Sequence, residues 1–78
     1  MNYADYIETK PGVLGGKPVI KGTRISVELL LGWFAAGWSM DEVLENYPRV
    51  TREDLKAVFT LAHELVTEER FIIESKVA

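Results

Sequence analysis

The sequence predicts a mostly helical single domain, in which three helices follow a short N-terminal β-ribbon. Two helix-start patterns lie close together, Ser39-Met40-Asp41-Glu42 and Thr51-Arg52-Glu53-Asp54. In each, the hydroxyl can accept the amide of the third helical residue, whose carboxylate can bond back to the cap amide. Pro48 lies between them and requires a turn, so the pair indicates a helix-turn-helix unit. With 78 residues, 47% of them hydrophobic and 27% charged, the chain suits one small globular core.

Residues 1–25 carry strand and turn signals and form the predicted β-ribbon arm. Tyr6-Ile7-Glu8-Thr9-Lys10 alternates weakly between apolar and polar residues. Pro18-Val19-Ile20 and Thr23-Arg24-Ile25 flank Lys21-Gly22, which predicts a hairpin with Gly22 at positive φ. An isolated hairpin is marginal in water. We therefore expect the ribbon to pack on the helices or on the same segment of a second subunit.

The first predicted helix runs from Val27 to Ala36, capped by Ser26 and ended by Gly37. It is apolar almost all round, which is typical of a helix buried on most sides. Because so short a chain can hardly cover it, we expect part of it to face a second subunit in a homodimer. Gly32 costs about 1 kcal/mol relative to Ala inside a helix. We expect it to permit a close approach by another backbone or by Trp38.

The second helix is predicted over Met40 to Tyr47 and the third over Arg52 to about Thr67, completing a three-helix core over residues 26–67. The third helix is expected to bury its apolar residues, which are Leu55, Val58, Phe59, Leu61, Ala62, Leu65 and Val66. Its opposite face is polar and comprises Glu53, Lys56, Thr60, His63 and Thr67. Residues 68–78 form a tail in which Phe71-Ile72-Ile73 is expected to extend the helix, form a short strand or dock on a partner.

The sequence predicts neither an enzyme nor a metal or cofactor site. There is no cysteine, and His63 is the one histidine, so a metal site built on it would lack ligands. The serines that a nucleophilic mechanism could use have cap or tail roles instead. Gly15-Gly16-Lys17-Pro18 and Lys21-Gly22-Thr23 resemble phosphate loops only superficially, because neither fits the G-x-x-x-x-G-K-[ST] pattern.

Two groups of basic residues bear on nucleic-acid binding. Lys17, Lys21 and Arg24 lie in the ribbon, whereas Arg49, Arg52 and Lys56 lie at the start of the third helix. In a helix-turn-helix, the second helix of the motif enters the major groove, which would direct Arg52, Lys56 and Thr60 to bases and Arg49 to a phosphate.

Other features oppose that interpretation. Glu53 on the same face would repel phosphate, and the net charge of −3 counts against strong non-specific binding. The residues alone therefore leave DNA binding and a helical protein-binding module with solvated charges equally open. No apolar run is long enough to span a bilayer, and no signal peptide is evident, so we expect a cytoplasmic protein.

One string is specific enough to indicate a family. It contains Gly16, Lys17, Pro18, Val19, Ile20, Gly22, Thr23 and Arg24, and Ala36-Gly37-Trp38-Ser39, Tyr47-Pro48 and Thr51-Arg52-Glu53-Asp54-Leu55 follow it. With these residues the chain closely resembles, over roughly residues 7–65, the small bacterial family known as domain of unknown function four hundred and thirty-three.

The resemblance implies a homeodomain-like or winged helix-turn-helix and a VapB-like antitoxin paired with a PIN-like ribonuclease toxin. By that resemblance, the third helix would bind operator DNA and a terminal segment would bind the toxin. Because few residues follow Phe71-Ile72-Ile73 in this sequence, we expect the arm of residues 1–6 or the ribbon to replace the tail in toxin binding. Within the family string we expect Gly22 to permit the tight turn, Arg24 to pair with an acidic group of the helices, and Pro18 to blunt an edge strand.

Overall fold

The computed structural model describes residues 1–68 and confirms a mostly helical chain with a two-stranded N-terminal sheet. A 3-10 turn at Tyr3–Asp5 precedes strand β1, and another at Leu14–Gly16 precedes strand β2. The remaining elements are helices α1, α2 and α3. The bounds are Ile7–Glu8 for β1, Val19–Ile20 for β2, Val27–Ala35 for α1, Met40–Asn46 for α2 and Arg52–Glu68 for α3. The apolar patch at Phe71-Ile72-Ile73 lies outside the described residues.

The ribbon differs from the predicted hairpin. β1 and β2 pair antiparallel, with Ile7 opposite Ile20, whereas residues 23–25 form no strand. The Thr23 hydroxyl donates to the Ile20 carbonyl at 2.8 Å and accepts the Ile25 amide at 3.0 Å. These bonds curl the segment into a turn that is too short for a ladder, so only a single bridge, between Val19 and Ser26, joins its two sides. β2 therefore pairs with the earlier strand β1, and not with residues 23–25 as the sequence predicts.

Local hydrogen bonds fix the helix ends close to their predicted positions. The Ser26 hydroxyl accepts the Leu29 amide at 2.9 Å at the start of α1. Gly37 follows α1 at φ +100°, a left-handed conformation that disfavours any residue with a Cβ.

Both predicted capping boxes are complete. The Ser39 hydroxyl accepts the Glu42 amide, and the Glu42 carboxylate accepts the Ser39 amide at 2.7 Å. Thr51 and Asp54 make the same exchange at 3.1 and 2.9 Å. Asp54 is shorter than the usual Glu, yet its carboxylate reaches the cap amide. α2 and α3 are therefore two separate helices, and each begins at its own capping box.

The core joins the ribbon to all three helices of the same chain. Its buried apolar residues are Ile7, Val19, Ile20, Val27, Leu30, Val43, Val50, Leu55, Ala57, Val58 and Leu61. Because Ile7 and Ile20 face this core, the ribbon has its packing surface within the chain. Of the two packing surfaces expected for the ribbon, the helices or a second subunit, the structure therefore shows the helices.

The predicted buried face of α3 is wrong at three positions. Phe59, Leu65 and Val66 expose 39%, 51% and 58% of their surface, whereas Ala57 is fully buried. Leu65 and Val66 lie beyond Leu61, the last buried residue between positions 52 and 67, so this part of α3 extends past the core. Phe59 packs against Phe34, with the ring centroids 4.9 Å apart, yet stays partly exposed.

The expected approach of Trp38 to Gly32 is also wrong. Trp38 stacks instead on Trp33, with the ring centroids 4.1 Å apart, and the Trp33 indole donates to the Tyr47 hydroxyl at 2.9 Å. A Cβ built on Gly32 would meet no atom within 4 Å. Approach by a second subunit's backbone at Gly32 stays a prediction.

Candidate nucleic-acid interface

The outward side of α3 presents one stripe of exposed side chains. Arg52, Lys56, Phe59 and His63 are separated by four, three and four residues, which places them on one face of a helix. All four are exposed. We refer to these four residues as the α3 stripe. It contains two of the predicted DNA-binding residues and, in His63, a side chain that the sequence placed on the polar face.

Thr60 lies at the edge of the α3 stripe and is half-buried. Its hydroxyl donates to the Lys56 carbonyl one turn earlier, at 2.8 Å, so the one O–H donor of Thr60 is used within the helix. The same oxygen lies 3.9 Å from the sulfur of Met1. The N-terminal arm therefore runs beside the stripe at this point, and Thr60 is less open to a ligand than Arg52 or Lys56.

The cations of the stripe have acidic neighbours on the surface. The Arg52 guanidinium donates to the carboxylate of Asp41 in the first turn of α2. The Lys56 ammonium lies 3.8 Å from Glu53. All four side chains are more than half exposed, and exposed pairs of this kind contribute at most about 1 kcal/mol each. Exchange of these partners for a phosphate or a base edge would therefore cost little.

Arg49 links the turn between α2 and α3 to the ribbon. Its Nη2 atom donates to the Gly22 carbonyl at 2.9 Å. On the other side, the Gly22 amide donates to the Glu8 carboxylate at 3.0 Å. Gly22 itself has φ +76°, which confirms the predicted glycine turn. The peptide groups of this turn are thus held from both sides, by β1 and by the turn between α2 and α3.

The carboxylate of Glu8 is adapted to this position. The hydrogen bond from the Gly22 amide, together with the nearby ammonium of Lys10 at 3.6 Å, holds the pKa of Glu8 below its ordinary value. The anionic form is favoured because the amide and the ammonium both stabilise negative charge. At neutral pH the Glu8 carboxylate that accepts the Gly22 amide is therefore ionised. We refer to the hydrogen bonds of Glu8 and Arg49 to Gly22 as the clamp, and to residues 21–24 as the clamped turn.

The ribbon cations divide into two places that the sequence did not separate. Lys17 pairs with Glu28 of α1 at 2.7 Å, which lowers the pKa of that carboxyl group. Lys21 and Arg24 instead lie exposed on the clamped turn. Within residues 1–67, no carboxylate lies within 4 Å of the Arg24 guanidinium, so the expected pair with an acidic helix residue is absent there. Arg49 brings this turn next to the helix-turn-helix.

Sequence reasoning missed two contributors to this surface. Glu8 looked like an unremarkable polar residue of an alternating strand, and its bond to Gly22 depends on a pairing between distant segments. The apolar pattern of α3 predicts Phe59 in the core, although its spacing from Arg52, Lys56 and His63 indicates the outer face. That spacing was the one available signal.

Two further properties of the described residues concern metal binding and membrane insertion. Over residues 1–68, no group of three or more histidine and acidic side chains is arranged to hold a metal ion. In the same range, none of the helices has both the length and the apolar character that crossing a bilayer requires.

Comparison with known proteins identifies relatives over most of the chain. The family model described as "Protein of unknown function (DUF433)" matches residues 7–62. A crystal structure of a DUF433 member protein from Anabaena variabilis has 36% sequence identity and a TM-score of 0.73, covering 87% of this chain and 74% of that one. The uncharacterized protein y4eO of Sinorhizobium fredii is 35% identical over 52 residues, or 67% of this chain.

The chain spans only about a quarter, 24%, of the length of y4eO. The DUF433 model includes β1, β2, α1 and α2 in full and α3 as far as Ala62, which covers Arg52, Lys56 and Phe59 of the α3 stripe but not His63. The family string, the clamped turn and both capping boxes therefore all lie in the matched region. On this evidence the chain belongs to the DUF433 family.

Proposed function

We propose that the protein is a sequence-selective DNA-binding autoregulator that reads its operator with the α3 stripe. The observation that carries the proposal is the helix-turn-helix-like pair α2 and α3, with Arg52 and Lys56 exposed on the outward side of its second helix. In this motif the N-terminal residues of the second helix meet base edges in the major groove. Arg52 and Lys56 lie in the first two turns of α3, where that contact is made.

Arg52 and Lys56 can exchange their present carboxylate partners for groups of DNA at little cost in free energy. Arg52 and Lys56 are paired only through exposed contacts, whereas an arginine bidentate to guanine contributes roughly 1–3 kcal/mol of discrimination. Asp41 and Glu53 reduce the attraction of the surface for any phosphate backbone. The expected result is a weak non-specific binder, in keeping with a net charge of −3, whose affinity depends on correct base contacts.

The DNA-binding form is proposed to be a homodimer, because helix-turn-helix proteins commonly read two half-sites with a two-fold symmetric pair. An open apolar groove on α1, beside Leu29, Gly32 and Trp33, supports this proposal. Leu29 is 41% exposed in the single chain, and the chain has no disulfide to add stability. Light scattering of the purified protein over a range of concentrations measures the oligomeric state directly.

We further propose that the protein acts as a VapB-like antitoxin that neutralises a PIN-like ribonuclease toxin. The support is the family resemblance, together with apolar surface left open at Pro18, Leu31 and Leu65. Co-expression with the product of the neighbouring gene, followed by affinity purification and a ribonuclease assay, tests this part. Recovery of a complex with suppressed ribonuclease activity supports it, and separate elution of two inert proteins contradicts it.

The DNA-binding proposal is tested by the double variant Arg52→Ala/Lys56→Ala. We expect the variant to bind DNA from upstream of its own gene more weakly and to lose preference over a scrambled duplex. The salt slope of log Kobs should fall by roughly 0.9 for each lost phosphate contact. Lys17→Ala removes one positive charge away from the stripe and serves as the control. Unchanged affinity and selectivity in the double variant would show that α3 is not the reader.

A second candidate function is a protein-binding module without a DNA role. It is favoured by Asp41 and Glu42 in the first turn of α2, a position that faces the phosphate backbone in many helix-turn-helix complexes. Two carboxylates there would be repelled by DNA. If the wild-type protein binds no duplex at low salt but forms a stoichiometric complex with the neighbouring gene product, this function replaces the first.

A further inference from the structure

The turn formed by residues 21–24 carries two cations on a backbone that is unusually well held for an exposed loop. The Lys21 amide donates to the Tyr6 carbonyl at 2.8 Å, and the Gly22 amide donates to Glu8. Arg49 bonds to the Gly22 carbonyl, and the Thr23 hydroxyl bridges Ile20 and Ile25. Each peptide constraint comes from a group other than the Lys21 and Arg24 side chains. Those two side chains are therefore presented by the turn without being needed to build it.

The local charge contrasts with that of the whole chain. Lys21 and Arg24 lie in the turn, Arg49 bonds to it, and Lys10 lies 3.6 Å from the Glu8 carboxylate that accepts the Gly22 amide, so these five side chains together carry a net charge of +3. The chain as a whole has a net charge of −3. A positive patch on an acidic protein restricts attraction of a polyanion to one place.

The guanidinium of Arg49 fixes where this patch lies. One of its donors is used on the Gly22 carbonyl, and four of the five N–H groups of a guanidinium then stay available for other acceptors. Arg49 also lies in the turn that leads into α3, three residues before Arg52. The patch is consequently beside the N-terminal end of the helix that is proposed to enter the groove.

We propose that Lys21 and Arg24 bind the phosphate backbone of duplex DNA next to the groove occupied by α3. This inference extends the proposed function, because it assigns backbone contacts to a ribbon turn outside the helix-turn-helix. Such contacts fix the register and orientation of a protein on the duplex and carry no sequence information themselves. The clamp on Gly22 explains their value: a rigid turn loses little conformational freedom when it binds.

Backbone contacts have a signature that differs from base contacts. Each phosphate contact contributes roughly 0.9 to the slope of log Kobs against log salt concentration, on any duplex. Loss of Lys21 and Arg24 should therefore reduce the magnitude of this negative slope by up to about 1.8, on operator and random DNA alike. Loss of a base-reading residue should also reduce the preference between the two duplexes, which loss of a backbone contact leaves unchanged.

The test uses the full-length protein with Lys21→Gln, Arg24→Gln and the double variant. Lys17→Gln is the matched control, because it removes the same charge from a cation that is engaged with Glu28. Affinities are measured from about 50 to about 200 mM salt on upstream DNA and on a scrambled duplex. Thermal unfolding of each variant verifies that the turn is intact, since neither replaced side chain holds the backbone in the described residues.

The expected result is a lower salt slope for each turn variant on both duplexes, with little change for Lys17→Gln. An unchanged slope in the double variant overturns the inference while operator selectivity upholds the proposed function. The converse is also distinguishable: if wild type shows no preference between duplexes but the turn variants still lower the slope, the proposed function fails and the inference stands. Absence of binding to either duplex at about 50 mM salt overturns both.

Discussion

Replacement of two glycines by alanine should change stability in opposite directions, although both sites have room for the added methyl group. A Cβ at Gly22 or at Gly32 would meet no atom within 4 Å, so steric clash with neighbours is absent at both. Gly22 has φ +76°, whereas Gly32 lies inside α1. The substitution therefore isolates the effect of backbone conformation.

The magnitudes follow from that difference. Alanine in the left-handed region costs roughly 1–2 kcal/mol, so Gly22→Ala should lower the free energy of unfolding by about that amount. Alanine in a helix interior is about 1 kcal/mol better than glycine, so Gly32→Ala should raise it. We expect the two variants to differ by roughly 2–3 kcal/mol.

Urea denaturation followed by circular dichroism measures both effects. For a protein of this size the dependence on urea is about 1 kcal/mol per M, so the midpoint should fall by about 1–2 M for Gly22→Ala and rise by about 1 M for Gly32→Ala. Measurements at two protein concentrations separate folding from subunit association, because the midpoint of an obligate dimer depends on concentration.

A destabilised Gly32→Ala would refute this reasoning. If its loss of stability also diminishes on dilution, another chain's backbone approaches Gly32, as the cost of a glycine in this helix led us to expect. A neutral Gly22→Ala would show that the turn can relax to a negative φ. In that event the clamp by Glu8 and Arg49 does not hold the turn rigidly.

Two further predictions concern the groups that hold the turn and start the helices. Because its folded pKa lies below its ordinary value of 4.5, Glu8 contributes stability that is present above about pH 4.5 and is lost as pH falls through the folded pKa. Glu8→Gln should thus lower the urea midpoint at neutral pH, and its difference from wild type should shrink on acidification; a difference independent of pH would contradict the clamp. Ser39→Ala and Thr51→Ala should each reduce the free energy of unfolding by about 1 kcal/mol, because each leaves a helix amide without its acceptor. Thr67→Ala, at an exposed helix position, is the control, and equal losses in all three would argue against the capping boxes.

The sequence predicts the helix starts well because the responsible interactions are local. Ser39 with Glu42, and Thr51 with Asp54, are three residues apart, so pattern and hydrogen bond coincide. Gly37 after α1 is predictable for the same reason. These features depend only on neighbouring residues.

Predictions that depend on distant segments were less successful. The pairing of Ile7 with Ile20 is formed between two short strands, whose local signal is weaker than that of the turn between residues 18 and 25. The hydrogen bond of Arg49 to Gly22 joins residues 27 positions apart, and no local pattern indicates it. The structure thus unites two basic groups that the sequence could only describe separately.

The errors in α3 have a different origin. Helical periodicity predicts which side of α3 each apolar residue faces. It contains no information about where along the helix the core ends. Leu65 therefore matches the buried direction of Leu61 closely enough to be predicted as core, yet it lies past the last buried turn. The apolar pattern does not predict Ala57 as a core residue, because a small side chain contributes little to it, although Ala57 is fully buried.

The proposed reading of DNA sequence by α3 is tested most directly by one titration. Wild-type protein is titrated onto the duplex from upstream of its own gene and onto a scrambled duplex of equal length, at several salt concentrations. We predict binding to the upstream duplex at least about a thousandfold tighter than to the scrambled one at moderate salt. Equal affinity for the two duplexes at every salt concentration would contradict the claim.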